Sequence, residues 1–314
     1  QPDDYYPPTW RQCVYKDHVW ALTYCADPNF GFAWNKDVFR KAGLDPEKPP
    51  TNIEELTDIS HRLSKVDGGV IRQIGLIPWE QYGPHNSMFT WGWAFGGEFY
   101  DPATHRITAD HPRVVAALEW MASFAKIYDP SRVQAMREGI GAAEQDPFYT
   151  GRMAMRCLHI AGINDIARYA PHLDYGVTFI PAPPEGEQKS SWVGGWCVAM
   201  PRGCRQPDLA WEFIRWMAHS PEGTEMVGRR QMIFPGMRRS PYFQEAAGRP
   251  HYGDYVRILQ ESRHQRPVMP VQALYMREMQ RAVEACVYGR KTPRQALADA
   301  RKNVQSELDL VLAA

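Results

Sequence analysis

The sequence predicts an α/β protein, because short extended segments alternate with amphipathic helices along most of the chain. The extended segments are rich in aromatic and β-branched residues and are bounded by turn residues. The helices are introduced by capping signals and carry apolar residues at helical spacing. A length of 314 residues suits one large domain or two ordinary ones.

The elements can be placed in order along the chain. The predicted strands cover residues 13–15, 19–22, 30–34, 153–158, 175–180 and 196–200. The first two form a hairpin around the turn Lys16-Asp17-His18, and the third leads into a short helix that ends near Gly43. The longer predicted helices begin at Thr51, Asp110, Leu209, Ser220 and Thr292. In the helix over 209–218, we expect Ala210, Phe213, Ile214 and Met217 to face inward.

Composition narrows the possible partners. Acidic and basic residues balance at 36 each, so the chain has no net field that would gather nucleic acid or an anionic membrane. The 11 Trp and 15 Tyr residues fit either an aromatic core or a cleft with flat faces for stacking on sugar rings. No apolar run is long enough to span a membrane. The chain starts at Gln1 without an initiator Met or a signal segment, which indicates processing or truncation.

Motifs that carry chemistry are mostly missing. The sequence has no G-x-S-x-G, H-E-x-x-H or P-loop pattern, and its histidines are scattered, so we predict no enzyme, no metal site and no cofactor. A hydrolase acting on carbohydrates remains an alternative, with Asp27, Glu80 and Glu98 as the carboxylates to nominate. The six cysteines form no C-x-x-C pair; their even number allows disulfides, and buried thiols are the other reading.

A series of short motifs carries a resemblance to a known family. They are Trp34-Asn35-Lys36-Asp37, Pro50-Thr51-Asn52-Ile53-Glu54-Glu55-Leu56, the segment 95–101, the segment 148–155, Gly194-Gly195-Trp196, and the segment 210–217 followed by Ser220-Pro221-Glu222-Gly223. In this order they resemble the ABC-importer extracellular solute-binding protein family 1, the maltose-binding-protein-like sugar binders. The resemblance runs through nearly all of the chain. The family has further residues before the segment that Gln1 resembles.

The resemblance implies a periplasmic-binding-protein-like fold of type II, with two α/β lobes joined by hinge strands and an incomplete N-terminal lobe. Residues 1–27 and 201–265 are expected in the N-terminal lobe, and residues 28–200 and 266–314 in the C-terminal lobe. The ligand would lie in the cleft between the lobes, and hinge closure around it would create the form that the importer recognises.

Sugars present apolar ring faces and hydroxyl edges, so a site for them needs aromatic planes and polar groups. Trp196 is the first stacking candidate, and Gly194 and Gly195 would let a ligand approach the backbone closely. A core tryptophan is the alternative for Trp196. Asp27 and Asn29 precede the first crossing strand, where the family places a polar ligand contact; the alternative is that they are turn residues.

The remaining candidates also follow from matched positions. Asn86 and Trp91 occupy the place of an acid–aromatic cluster in the family, and Asn86 replaces the acid, which argues against maltose-like specificity. Trp79 and Tyr82 are alternatives on the same loop. Three further candidates are His159, Arg238 and Tyr275. The alternatives are that His159 is a structural histidine, that Arg238 is a surface arginine and that Tyr275 is a packed tyrosine.

The resemblance implies a function in transport. We expect an extracytoplasmic protein, periplasmic or lipid-anchored, that binds a carbohydrate and delivers it to the permease subunits of an ABC importer. A binder of another solute, such as a polyamine, a phosphodiester or an organic cation, is the alternative, because aromatic clefts also suit cations.

Overall fold

A computed structural model describes residues 1–80 and 83–313 of the chain. The strands are β1 (Val14–Tyr15), β2 (His18–Val19), β3 (Leu22–Asn29), β4 (Gly31–Asn35), β5 (Lys65–Asp67), β6 (Val70–Gln73), β7 (Tyr100–Asp101), β8 (Arg106–Ile107), β9 (Met155–Leu158), β10 (Tyr175–Thr178) and β11 (Trp192–Val198). The helices are α1 (Pro7–Arg11), α2 (Lys36–Lys41), α3 (Ile53–Leu63), α4 (Pro84–Ala94), α5 (Pro112–Ser123), α6 (Pro130–Glu138), α7 (Ile160–Tyr169), α8 (Pro207–His219), α9 (Pro221–Gln231), α10 (Tyr242–Ala246), α11 (Tyr252–Glu261), α12 (Gln272–Val287) and α13 (Pro293–Ala313). This alternation confirms the predicted α/β class.

The chain forms two compact units. Unit 1 consists of Gln1–Gly31, His159–Asn164 and Ser191–Met269, and unit 2 consists of Phe32–Leu158, Asp165–Ser190 and Pro270–Ala314. These boundaries differ from the expected lobe boundaries most clearly at residues 191–200. That segment belongs to unit 1 because β11 pairs along its length with β3.

Unit 1 is built on the antiparallel pair β3 and β11, in which Asp27 lies opposite Gly194 and Cys25 lies opposite Trp196. The register shifts after Trp196, so β11 has an irregularity between Trp196 and Cys197. The predicted strand over 196–200 is therefore displaced: β11 begins at Trp192, where the backbone also pairs with His264. The predicted hairpin near the start is confirmed by the pairing of β1 with β2.

Within unit 1, helix α8 packs on the core through a narrow stripe of residues. Ile214 and Ala218 are buried in a cluster with Tyr5 and Leu22. The expectation that Phe213 faces inward is wrong, because its side chain is 56% exposed. The physical reason is that α8 contacts β3 and α9, which leaves the remaining side of the helix outside the core.

Unit 2 contains a three-stranded sheet in the order β10–β4–β9 and a helical layer in which α12 contacts α4, α5 and α13. The hairpins β5–β6 and β7–β8 complete its strands among the described residues. Its core is strongly aromatic: Phe89 lies edge-on to Phe99 at 4.6 Å, and Trp91 lies edge-on to Trp120 at the same centroid distance, 4.6 Å.

Side-chain caps set the predicted helix starts. Ser220 accepts the Gly223 N–H at 2.9 Å, and Thr292 exchanges hydrogen bonds with Gln295, as the sequence predicts. The start of α3 differs by one residue, because Asn52 is the cap and accepts the Glu55 N–H at 2.9 Å. No helix in the described ranges combines the length and apolarity needed to cross a lipid bilayer.

Candidate ligand-binding site

Asp27 is the most unusual carboxyl group in unit 1. Its Oδ1 atom is buried and has no hydrogen-bond partner among the described residues. The backbone N–H of Ile160, the first residue of α7, donates to the carboxylate. Burial raises the pKa of Asp27 to about 7, although the Ile160 N–H and the positive charge of Arg266 both lower it. Because an unpaired buried oxygen is costly, Oδ1 is a strong acceptor for a ligand hydroxyl or for a proton.

The two residues that precede Arg266 are held in place by contacts within unit 1. Val193 N–H donates to the His264 carbonyl at 2.8 Å, which joins the segment to β11. The Gln265 side chain accepts from the Arg11 guanidinium at 3.0 Å. The Arg266 guanidinium then lies 5.3 Å from the centroid of the buried Trp192 ring.

The pKa of Arg266 depends on burial and on two nearby acidic groups, Asp27 and Cys197. Burial lowers the pKa of the guanidinium, while the negative charges of Asp27 and Cys197 raise it. An arginine keeps its charge under such a perturbation. Unit 1 therefore holds a cationic fork and a buried carboxyl oxygen near each other, a combination that can donate to and accept from a polyol.

Contacts within the protein explain why residues 194 and 195 are glycines. A Cβ atom on Gly194 would lie 2.4 Å from Nδ2 of Asn29 and 3.3 Å from the Trp192 ring. Gly195 has a φ of +98°, and its Cβ would lie 2.1 Å from the Cys25 carbonyl oxygen. The close approach that excludes a side chain is thus made by Asn29 and by strand β3, and not by a ligand as the sequence suggested.

Trp196 presents an accessible ring on β11. Its side chain is 68% exposed, so it is not the core tryptophan that the alternative interpretation required. It lies opposite Cys25, two residues before Asp27 on the paired strand. One face of an exposed indole on the strand paired with Asp27 can stack on a sugar ring.

His159 and Arg238 also belong to unit 1, in different settings. His159 directly precedes α7, and its half-buried side chain is one residue from the Ile160 N–H that binds Asp27. Arg238 is exposed, its guanidinium lies 5.4 Å from the centroid of the Tyr6 ring, and its backbone N–H donates to the Asp4 carbonyl at 2.8 Å. These contacts connect Arg238 to the N-terminal segment.

Two candidates in unit 2 are core residues. Trp91 is fully buried, and its indole N–H donates to the Pro78 carbonyl at 2.9 Å. Tyr275 is fully buried, and its hydroxyl donates to the Phe99 carbonyl at 2.6 Å. Because neither ring has a face left for a ligand, we correct their assignment from ligand contact to packing.

The other candidate residues in unit 2 differ in their burial and contacts. Asn86 is half-buried in the first turn of α4, and Trp79 is buried at 4% exposure. Tyr82 lies outside the described residues. Glu80, which was nominated for a hydrolase, forms an ion pair with Arg137, and Glu98 is exposed. Within the described ranges, no group of three or more His, Cys, Asp and Glu residues is arranged to hold a metal ion.

Sequence reasoning missed Arg266 and Trp192. Arg266 sits in an irregular segment with no helical or strand periodicity, and the segment is held near Asp27 by backbone hydrogen bonds of Arg263 and His264 to Ser191 and Val193. Trp192 precedes the matched glycine pair and could have been found by extending the predicted strand towards the N-terminus. Asp27, Asn29, Gly194, Gly195 and Trp196, by contrast, are brought together on paired strands.

The fold places the chain in the class of α/β proteins with a periplasmic-binding-protein-like fold. It belongs to the bacterial extracellular solute-binding protein family, whose family model matches residues 6–241. The structure of CpMnBP1 with mannobiose bound is similar, with a TM-score of 0.84 and 25% identity over 96% of this chain and 75% of that chain. An ABC transporter solute-binding protein from Thermotoga lettingae, bound with α-D-tagatose, gives a TM-score of 0.80 and 20% identity over 98% of this chain and 76% of that chain.

A relative of known name is also similar in sequence. The sn-glycerol-3-phosphate-binding periplasmic protein UgpB of Salmonella paratyphi A is 28% identical over 167 residues, which are 52% of this chain and 36% of UgpB. The match thus spans about a third of the length of that relative. These findings confirm the predicted family and the predicted periplasmic-binding-protein-like fold.

Proposed function

We propose that this chain is the substrate-binding component of an ABC importer and that it binds a carbohydrate, a mono- or oligosaccharide, on unit 1. The observation that carries the proposal is the unpartnered buried Oδ1 of Asp27 on the strand paired with the exposed Trp196. Asp27 accepts from sugar hydroxyls, Arg266 donates to their oxygens, and the Trp196 ring stacks on an apolar sugar face. Asn29, Gly194 and Gly195 lie on the same paired strands, and His159 is one residue from the Ile160 N–H.

Two comparisons support a sugar as the ligand. CpMnBP1 and the Thermotoga lettingae protein are described with mannobiose and α-D-tagatose bound, and both share the fold at high TM-scores. The family consists of extracellular solute-binding proteins, so we infer an extracytoplasmic location, periplasmic or lipid-anchored, and permease subunits of an importer as partners. The ligand is bound and released without chemical change.

A phosphorylated polyol is the second candidate. Arg266 supplies a fixed positive charge that a phosphate would pair with, and the sequence relative UgpB is described as binding sn-glycerol-3-phosphate. The negative charge of ionised Asp27 would oppose a phosphate close to it, because like charges repel in a partly buried site. A polyamine or an organic cation would meet the reverse difficulty at Arg266.

Isothermal titration calorimetry can separate these candidates. The protein is titrated with mannobiose, maltose, α-D-tagatose, sn-glycerol-3-phosphate and spermidine, and we expect binding of at least one neutral sugar. Arg266→Met keeps an unbranched apolar stem and removes the charge and the N–H donors of the guanidinium. For a sugar, the variant should weaken binding about tenfold, which corresponds to about 1.4 kcal/mol. For a phosphate ester, the loss should exceed about a hundredfold, because a charge-assisted bidentate pair is removed.

The result that overturns the sugar proposal is binding of sn-glycerol-3-phosphate or spermidine with no heat from any sugar. A chromogenic glycoside that the protein hydrolyses, with the activity lost in Asp27→Asn, would instead support a hydrolase.

A further inference from the structure

Two cysteines that are distant in sequence meet in unit 1. The Sγ atoms of Cys13 and Cys197 are 3.4 Å apart, and the Thr23 hydroxyl lies 3.2 Å from the first and 3.4 Å from the second. Both thiols are free in this structure. The backbone on each side of Cys13 is fixed, since its N–H donates to the Trp10 carbonyl and its own carbonyl accepts from the Trp20 N–H, both at 2.9 Å.

The two thiols differ in access and in acidity. Cys13 is 4% exposed, whereas Cys197 is exposed on β11 after the register shift. The hydrogen bond from Cys13 lowers the pKa of Cys197 to about 7, and the charge of Arg266 acts in the same direction. The same hydrogen bond and burial raise the pKa of Cys13. Cys197 is therefore the thiol that an external reagent can reach and that forms a thiolate.

We propose that Cys13 and Cys197 form a disulfide when the protein meets a disulfide-bonded oxidant, and that this bond ties the N-terminal segment to the strand carrying Trp196. The sulfurs must approach to about 2.05 Å, a shift of about 1.4 Å that side-chain rotation at the exposed Cys197 can supply. Both residues lie in unit 1, so the bond forms within one compact body. From the proposed function, the inference takes only the extracytoplasmic location, where such oxidants are present.

The chemistry balances by thiol–disulfide exchange. The Cys197 thiolate attacks one sulfur of the oxidant, forms a mixed disulfide and releases the first oxidant thiolate. Cys13 then gives up its proton, and its thiolate attacks Sγ of Cys197, which forms the intramolecular bond and releases the second oxidant thiolate. The two cysteines lose two electrons and two protons, and the oxidant disulfide is reduced to two thiols.

The other cysteines provide contrasts. Cys25 is buried on β3 opposite Trp196, and Cys204 is half-buried in unit 1. Cys157 and Cys286 are buried in unit 2. The Cys13–Cys197 contact therefore singles out one of the fifteen possible pairs among six cysteines.

The experiment uses the protein of this sequence, treated with oxidised glutathione or with a phosphine reductant and then digested without reduction. Mass spectrometry should find a linked peptide pair containing Cys13 and Cys197, and the intact oxidised protein should be about 2 Da lighter than the reduced one. Cys204→Ser is the control and should behave like the unaltered protein. In Cys13→Ser, Cys197 should instead accumulate a stable adduct of glutathione, because the resolving thiol is missing. Oxidation should raise the melting temperature by several degrees in the unaltered protein and in Cys204→Ser alone.

Two outcomes overturn the proposal. One is that all six thiols remain free after glutathione treatment of the unaltered protein. The other is a link between any other pair, such as Cys25 with Cys197. Neither outcome depends on a carbohydrate, so failure here is distinguishable from failure of the proposed function.

Discussion

Replacing Asp27 by Asn tests whether burial raises the pKa of this carboxyl group and makes the stability of the protein depend on pH. The pKa of Asp27 is about 7 in the folded protein and 3.8 in its ordinary state, so the folded protein binds a proton that the unfolded chain releases. The stabilisation from that proton is fully present below about pH 4 and is lost as the pH rises through about 7. From about pH 5 to about pH 7, Asp27 alone should lower the free energy of unfolding by about 2 kcal/mol.

Urea unfolding followed by tryptophan fluorescence at about pH 5 and about pH 7 measures this difference. In Asp27→Asn, the difference in the free energy of unfolding between the two pH values should be smaller by about 2 kcal/mol, because an amide does not ionise in this range. Asp58→Asn is the matched control, since Asp58 is exposed on α3 and should leave the pH dependence unchanged. Equal pH dependence in the unaltered protein and in Asp27→Asn would refute the argument that burial governs this carboxyl.

Two further substitutions separate backbone and core roles from ligand contact. Gly195→Ala should cost about 2 kcal/mol or more in urea unfolding, because its Cβ would lie 2.1 Å from the Cys25 carbonyl oxygen at a φ of +98°. Gly253→Ala on α11 is its control, and it should be neutral or stabilising because a Cβ there meets nothing within 4 Å. A similar loss in both alanine variants would contradict the steric argument. Trp91→Ala should lower the free energy of unfolding by about 3–5 kcal/mol without changing the affinity for ligand, and a selective loss of affinity would return Trp91 to the site.

Local signals in the sequence predicted helix starts well. The caps at Ser220 and Thr292 depend on a side chain and a backbone group three residues away, so the motif contains the whole interaction. At α3 the motif Thr51-Asn52-Ile53-Glu54 predicts a helix start at Thr51. In the structure Asn52 caps the helix, and the Glu55 carboxylate instead accepts from Thr51 at 2.8 Å.

The sequence did not predict site residues correctly where contacts between distant parts of the chain determine the environment of a side chain. The prediction for Trp91 rests on a matched position in the family, and such a match does not distinguish a ring that faces a core from a ring that faces a ligand. Arg266 is separated from Asp27 by most of the chain and is positioned by backbone pairing with β11. The exposed Phe213 was assigned to the core because helical periodicity defines a face but not its width.

The affinity of Trp196→Ala for a carbohydrate tests the central claim most directly. Calorimetric titration with the sugar that binds most tightly to the unaltered protein should show a loss of about tenfold or more, because the stacking surface is removed. Trp211→Ala, which removes a tryptophan 48% exposed on α8, should leave that affinity unchanged. Undiminished sugar binding by Trp196→Ala, in a protein that unfolds like the unaltered one, would contradict the assignment of this surface of unit 1.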